Sequence, residues 1–330
     1  MSRTKRMFVV MGSVFALLVL SVGVPQAIAS SYPEKPITVF QGFKAGGGSD
    51  VLAQVTQPIL EKLLGKSFVN QYIPGATGAI AWTRLTKSTK KDGYTIAIIN
   101  TPMLYTNYIM NPEIKYNIRE LEPLANVVTD PGVMVVGKDS PYKTAQEFFA
   151  AAKASPGKLT VGNSGVGGDD FFSTLLLQKT SGMKFQPIPF QGDGPSWQAA
   201  MGGKIDASFN NLGTCYPQIK AGNLRVLAIF ADKRNVAIPK VPTLKELGYD
   251  LINGSSRGYG APKGIPADVK EKLIEAFRKM SKDPAFLKAT ADRALPVDIL
   301  LGDDCNKMLL NQEADYRVIW NDVKSQYGKK

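Results

Sequence analysis

Phe40-Gln41-Gly42-Phe43-Lys44-Ala45-Gly46-Gly47-Gly48-Ser49-Asp50 is a glycine-rich loop between two regular segments. An apolar run, Ile37 to Phe40, precedes it, and a helix-like segment, Val51 to Leu64, follows. The order strand, tight loop, helix N-terminus aims several backbone N–H groups at one point. Glycines let the backbone approach a ligand closely. The helix dipole and the unpaired N–H groups favour an anion there. A single loop of this kind is a weak signal, so the rest of the chain has to supply its partner.

On the N-terminal side, Arg3, Lys5 and Arg6 form a basic start, Met7 to Val24 is an uncharged and mostly apolar run, and Ala27-Ile28-Ala29 is a small-x-small site. This pattern predicts a secretory signal peptide over residues 1–29, cleaved after Ala29, and an exported, periplasmic mature chain starting at Ser30. The 330 residues hold 40 Lys+Arg against 28 Asp+Glu. Without the three leader charges the net charge is +9. The basic residues are scattered, with no stripe of interleaved aromatics, so nucleic acid is not an expected partner. There is no histidine. That removes the usual general base and the commonest metal ligand, and no cofactor or metal is expected. Cys215 and Cys305 could pair in an oxidising compartment, but two separate buried thiols are the expectation.

Towards the C-terminus, Ser49 or Asp50 is a candidate N-cap for the helix Val51–Leu64, and Gly65 its stop. Leu52, Val55, Ile59, Leu60 and Leu63 form its apolar stripe, and Pro58 should kink it. Strands at Ser67–Gln71 and Tyr94–Asn100 flank a helix at Ala79–Ser88, which gives βαβαβ and a parallel sheet. Thr101 to Glu122 reads as irregular. Leu124–Val128 and Val133–Gly137 read as two strands. A helix at Thr144–Ala154 and a strand at Leu159–Gly162 lead to a second Gly/Ser loop, Gly162-Asn163-Ser164-Gly165-Val166-Gly167-Gly168, and a helix, Phe171–Thr180, capped by Asp169 or Asp170. Strands at Phe185–Phe190, Ala207–Asn210 and Leu224–Phe230 follow. After residue 230 mostly helices are expected, at Pro266–Met280, Asp283–Arg293 and Asp304–Ser325.

The chemistry points to binding. Gly162-Asn163-Ser164-Gly165-Val166 nearly matches a nucleophile elbow, but a chain without histidine has no Ser-His-Asp triad. A secreted hydrolase with Ser164 and a lysine base is the enzymatic alternative. Neither loop carries a phosphate-binding or dinucleotide fingerprint. Two Gly/Ser loops, each opening a helix, can instead face one another across a cleft and hold the carboxylates of a small acid with backbone N–H groups. Such a clamp needs no buried arginine. The alternative is two ordinary βα turns in one large domain. Asn210 and Asn211, at a strand end, either line the cleft or form a plain turn. Thr101 and Tyr105 follow another strand end and are weaker candidates.

An ordered set of motifs resembles the receptors of tripartite tricarboxylate transporters, the Bug-type extracytoplasmic solute-binding proteins. The set begins with Tyr32-Pro33-x-Lys35-Pro36-Ile37, Phe43-x-Ala45-Gly46-Gly47-x-x-Asp50, Pro74-Gly75-Ala76-x-Gly78-x-Ile80-Ala81 and Asp92-Gly93-Tyr94-Thr95. It continues with Ser140-Pro141-x-Lys143-Thr144, Pro156-Gly157-Lys158-Leu159 and Gly202-Gly203-Lys204-Ile205-Asp206. Ile219 to Arg225, Val241-Pro242-Thr243 and Ala261-Pro262-x-Gly264-x-Pro266 complete it. The resemblance implies an α/β, two-lobed periplasmic binding fold of type II character, with a ligand cleft between the lobes and two hinge crossings. Lobe I would hold residues 30–126 and 229–330, and lobe II residues 127–228. It also implies a small organic acid as ligand, permease subunits as partners, a monomer, and no catalysis. One jaw of the clamp would be Phe43, Ala45, Gly46, Gly47, Gly48, Ser49 and Asp50, the last as a helix cap in the first instance. The other would be Asn163, Ser164, Gly165, Val166 and Gly167. A sensor that hands its ligand to a signalling protein is the second alternative.

Two departures from the family pattern bear on the ligand. Asp169-Asp170-Phe171-Phe172 stands where many relatives carry a histidine, and Phe190-Gln191-Gly192-Asp193 where they carry Tyr-Lys-Gly. Acids near the cleft, with Gln191 beside them, disfavour a simple tricarboxylate. They point to fewer negative charges, a zwitterion, or an aromatic acid stacked on Phe171 or Phe43. The competing expectation is that Asp169 and Asp170 only cap a helix and face solvent.

Overall fold

The computed structural model describes residues 32–327. The leader expected over residues 1–29, with its cleavage site, lies outside them. In chain order the elements are β1 (Ile37–Gln41), α1 (Gly48–Leu64), β2 (Phe68–Tyr72), α2 (Ala79–Ser88), β3 (Thr95–Asn100), α3 (Met103–Met110) and β4 (Leu121–Gly137). Next come α4 (Ala145–Ala154), β5 (Thr160–Asn163), α5 (Asp169–Ser181), β6 (Gln186–Pro189), α6 (Asp193–Met201), β7 (Ala207–Asn211), α7 (Leu212–Lys220) and β8 (Leu224–Ile229). The chain ends with β9 (Gly254–Pro262), α8 (Ala267–Met280), α9 (Pro284–Ala291), β10 (Val297–Leu301) and α10 (Gly302–Val323).

The first half of the sheet is the expected parallel βαβαβ unit, β2-β1-β3, continued by β9 antiparallel to β3. The second half is β5 between β6 and β7, all parallel. One strand joins the halves. Residues 121–131 of β4 pair with β9, and residues 132–137 pair with β7 and β8. The two short strands expected there are therefore one strand. Pro131 is where pairing with β9 ends and pairing with β7 begins. Helices cover both faces of each half, as a mainly parallel sheet requires. In β4, Met134 and Val136 face Phe148, Val161 and Phe209, while Val133 and Val135 face Trp197, Leu212 and Cys215. This is the two-residue period of a strand buried on both sides.

Local signals placed most helix ends correctly. Gly65 ends α1 in the left-handed conformation at φ 70°, and Thr144 caps α4 in a reciprocal capping box with Glu147. The stripe of α1 holds except at its end, where Leu63 is exposed. The helix runs through Pro58 without a break. Three expectations fail. The segment after Thr101 forms α3, anchored by buried Met103, Leu104 and Tyr105. The caps of α1 and α5 are Gly47 and Gly168, not the acids that follow them. Strands β9 and β10 occupy a region read as helical. The expectation of two separate buried thiols holds: Cys215 and Cys305 are free and lie in different cores.

β9 escapes a sequence reading because close approach replaces its side chains. A Cβ on Gly258 would lie 1.9 Å from the Ala125 carbonyl oxygen on β4. Gly258→Ala should therefore push β9 from β4 and destabilise the fold by about 1–3 kcal/mol or more. Urea unfolding would measure it, and a midpoint equal to the parent's would contradict this packing.

Candidate functional site

The carboxyl ends of four strands and the amino ends of five helices meet at one small enclosed cavity. Gln41, Asn100, Asn163 and Asn211 end β1, β3, β5 and β7, and all four are buried. Gly47 and Gly48 begin α1, Met103 begins α3, Asp169 begins α5, Asp193 begins α6, and Asn211 precedes α7. Each of these lines the cavity, together with Phe43, Asn100, Ser164, Gly192, Ser255 and Arg257. This is the place where open α/β sheets bind ligands, outside the carboxyl ends of the strands. The cavity is about 20 Å³, room for little more than one water molecule.

The two halves touch around it. A Cβ on Gly194 of α6 would lie 3.2 Å from the Gly46 backbone, so α6 sits against the first loop. Thr106 Oγ1 donates to the Gly167 carbonyl at 2.6 Å, tying α3 to the second loop. Asn253 Nδ2 donates to the Asp169 carbonyl at 2.8 Å.

At the centre lies Arg257, on β9 and only 2% exposed. Its Nη1 donates to Asp130 Oδ2 at 2.7 Å, and Asp130 has no exposed surface. Its Nη2 donates to Asn211 Oδ1 and lies 3.5 Å from Asp193 Oδ2. Its Nε has no partner. A Cβ on Gly48 would be 2.2 Å from that Nε, so the start of α1 rests directly on the guanidinium. Burial alone would lower the Arg257 pKa, but Asp130 and Asp193 outweigh it and hold the group charged.

Three buried carboxylates, Asp130, Asp193 and Asp169, act on this one cation, and a fourth, Asp170, adjoins Asp169. Asp130 also accepts from the Gly213 N–H at 2.9 Å. Asp170 accepts from the Ser164 N–H, the Ser164 hydroxyl and the Phe171 N–H, so it braces the second loop from within. Asp193 has the Gly48 N–H and the Thr214 hydroxyl. Asp169 accepts from Asn211 Nδ2 at 2.7 Å. Burial raises the pKa of all four. Desolvation, reinforced by Asp193, pushes Asp169 up to about 7. Desolvation against the pull of Arg257 leaves Asp193 at about 6. Helix N-termini make such a cluster tolerable, because each presents partial positive charge.

Of the residues singled out in the sequence, the structure gathers Phe43, Gly47, Gly48, Ser164, Asp169 and Asn211 on the cavity wall. Others stand behind it. Ser49 donates its hydroxyl to Asn100 Oδ1. Asp50 accepts from the Gly46 N–H, Gln54 and the Tyr72 hydroxyl, which makes it a brace of the first loop. Asn163 Oδ1 accepts from the Gly165 N–H. Gly167 contacts α3, and Val166 packs beside Phe171 and Trp320. Asn210 bonds Ser208 and keeps its Oδ1 unpartnered, off the cavity. Thr101 pairs with Ser256 and, like Tyr105, borders a different pocket. Ala45 and Gln191 are exposed and do not line the cavity. Phe171 is buried against Phe172 and Tyr327, away from any stacking position, whereas Phe43 is on the wall. Asp169 and Asp170 are both 2% exposed, which overturns the expectation that they face solvent. The Ser164 hydroxyl donates to Asp170, and among the described residues no lysine lines the cavity.

Arg257 and Asp130 were missed, and Asp193 was read only as one of the acids near the cleft. The sequence reading expected backbone N–H groups alone, and the structure places the buried Arg257 on the cavity wall beside them. A strand-end amide is the local signal that could have marked the region, since Gln41, Asn100, Asn163 and Asn211 recur at the same structural place.

The raised acids set the sign of a pH effect. A carboxyl group whose folded pKa lies above its unfolded value of about 4 binds more protons when folded. Its stabilising contribution is present at low pH and is lost as pH rises from about 4 through the folded value near 7. The Asp169→Asn variant, which cannot titrate there, should therefore gain stability relative to the parent by about 1–3 kcal/mol between pH 5 and pH 8. Paired urea titrations at the two pH values would read this. A difference that stays constant, or runs the other way, would show Asp169 ionised throughout.

Comparison with known proteins places the chain. Residues 52–322 match the family model described as tripartite tricarboxylate transporter family receptor. BugT of Bordetella pertussis is 30% identical over 290 residues, which cover 86% of this chain and 89% of that protein. A solved structure described as a periplasmic transporter is 31% identical, covers 90% of this chain and 98% of its own, and superimposes with a TM-score of 0.83. An R. palustris protein solved with adipate superimposes with a TM-score of 0.84 at 23% identity, over 89% of this chain and 98% of that one, a likeness of fold. These neighbours bear out the two-lobed α/β binding-protein fold, and the family's receptors are periplasmic solute-binding proteins. The chain belongs to the receptor family of tripartite tricarboxylate transporters, the Bug-type solute-binding proteins.

Proposed function

We propose that this chain is the exported receptor of such a transporter. It captures a small organic acid between two lobes, closes on it and delivers it to membrane permease subunits, as a monomer and without making or breaking a bond. Removal of residues 1–29 after Ala29 would release it into the periplasm. The observation that carries the reading is the cavity itself. A buried guanidinium and the amino end of α1, at Gly47 and Gly48, face Ser164 and the amino end of α5 from the other half. Cation and N–H donors of that kind hold carboxylates. Adipate in the R. palustris neighbour is a ligand of the same chemical type. So is malate, bound to a second R. palustris protein of this fold.

The same reading sets the lobes. β4 carries the chain across once. Leu244 and Leu251 pack with Phe148 and Phe209 in the core of the second half, which supports a return crossing near Asn253, at the start of β9, later than residue 229. With room for about one water, the present arrangement is the closed one, and ligand entry requires the halves to part around β4 and β9.

Titration calorimetry with malate, adipate and other small mono- and dicarboxylates tests the reading. At least one should bind, and at a hundred times its dissociation constant it should add about 2.7 kcal/mol to stability. Gly48→Ala, which displaces Arg257, should weaken that ligand at least tenfold. Binding of uncharged solutes alone, or undiminished affinity in Gly48→Ala, would overturn the reading.

A further inference from the structure

Three of the four buried carboxylates at the cavity have a stated counterpart. Asp130 has the Arg257 guanidinium and the Gly213 N–H. Asp170 has three donors of its own loop and helix. Asp193 has Arg257, the Thr214 hydroxyl and the Gly48 N–H. Asp169 is different. It is 2% exposed and lines the cavity, yet its side-chain donor is a single neutral amide, Asn211 Nδ2. Among the described residues no cationic nitrogen lies within 4 Å of it. A buried carboxylate is normally paired, because an isolated charge in a low-dielectric interior is expensive. Across the same cavity, Arg257 keeps an unpartnered Nε–H while its other nitrogens are engaged. One wall therefore lacks a cation and the other retains an unused donor.

We infer that the ligand carries a cationic nitrogen beside its carboxylate, a small zwitterion of the amino-acid type, with Asp169 pairing the nitrogen and the Arg257–Gly48 wall facing the carboxylate. The inference rests on the carboxylate-receptor reading above and narrows it. Asp170 reinforces the choice, because its carboxylate already occupies both donors of Ser164, the cavity-lining residue of the second loop. The amino end of α5 thus presents an acid to the ligand where a receptor for plain polycarboxylates would present free N–H groups. A ligand with only negative charges would meet Asp169 with no cation beside it. An ammonium group converts that repulsion into attraction and replaces the proton that Asp169 otherwise retains near neutral pH. Phe43 and Met103, the apolar members of the wall, are left for the ligand's carbon atoms.

Matched pairs differing only in the ammonium group test this: succinate against aspartate, glutarate against glutamate, propionate against alanine, and phenylpropionate against phenylalanine. Each would be titrated into the mature chain, freed of bound ligand by unfolding and refolding. The amino member of at least one pair should bind ten times more tightly or better. Asp169→Asn, which keeps an acceptor for Asn211 Nδ2, should weaken that member at least tenfold and leave its partner acid unchanged or tighter. Des-amino acids binding as tightly as their partners would overturn the zwitterion and leave the carboxylate receptor standing. Equal weakening of both members by Asp169→Asn would do the same. If no member of either series binds, the carboxylate reading falls and this inference with it. The wild-type comparison needs no variant, so a misfolded Asp169→Asn leaves the test intact.

Discussion

The pairing of Arg257 with Asp130 is the constraint around which the rest is arranged. Both groups are buried, 2.7 Å apart, and come from β9 and β4, the strands that run side by side from one half of the sheet towards the other. Removing one partner of such a pair leaves an uncompensated charge and typically costs about 3–5 kcal/mol. The pair also fixes positions that a hydrophobic replacement would not. Asp130 orients the amino end of α7 through Gly213, and Arg257 holds Asn211 and supports Gly48. Parts of both halves are thereby referred to one planar, five-donor group, whose rigid geometry a lysine could not reproduce.

Helix direction explains how the chain supports so much buried acid. Five helices point their amino ends at the cavity, and four of the residues at or beside those ends are Asp130, Asp169, Asp170 and Asp193. The partial positive charge of helix termini and the guanidinium compensate the carboxylates in part. They do not compensate them fully, since burial still raises all four pKa values. The site is therefore poised. Two of the four, Asp169 and Asp193, line the cavity, and Asp169 is the less supported of them.

The sequence made the scaffold legible where the signals are local. Glycine stops, the Thr144 capping box and the two loop-to-helix junctions were readable because each depends on a few adjacent residues. Five of the site residues singled out from those junctions, and Asn211 from a strand end, meet on the cavity wall. What was illegible depends on pairing across long separations. β9 reads Gly-Ser-Ser-Arg-Gly-Tyr-Gly-Ala-Pro, with small residues where an alternating apolar strand would be recognised, because β4 passes too close for side chains. With that strand unseen, Arg257 looked like one of many scattered basic residues, and Asp169 and Asp170 could be read either as acids near the cleft or as solvent-facing helix caps. The failure is therefore concentrated at the site. Local preference there yields to tertiary compensation, which is where functional groups tend to sit.

The same compensation argues about purpose. A chain selected only for stability would have no reason to keep Asp169. Asparagine would serve Asn211 equally well and carry no buried charge. A carboxylate there is a standing cost, and the family fold does not need it to close the second loop, since Asp170 alone engages Ser164. Groups that destabilise a folded protein while lining its cavity are candidates for the ligand's own contacts. In the binding mode we propose, backbone N–H groups and Arg257 hold the acid, and the choice among acids falls to Asp169, the charge that the protein leaves for its ligand to complete.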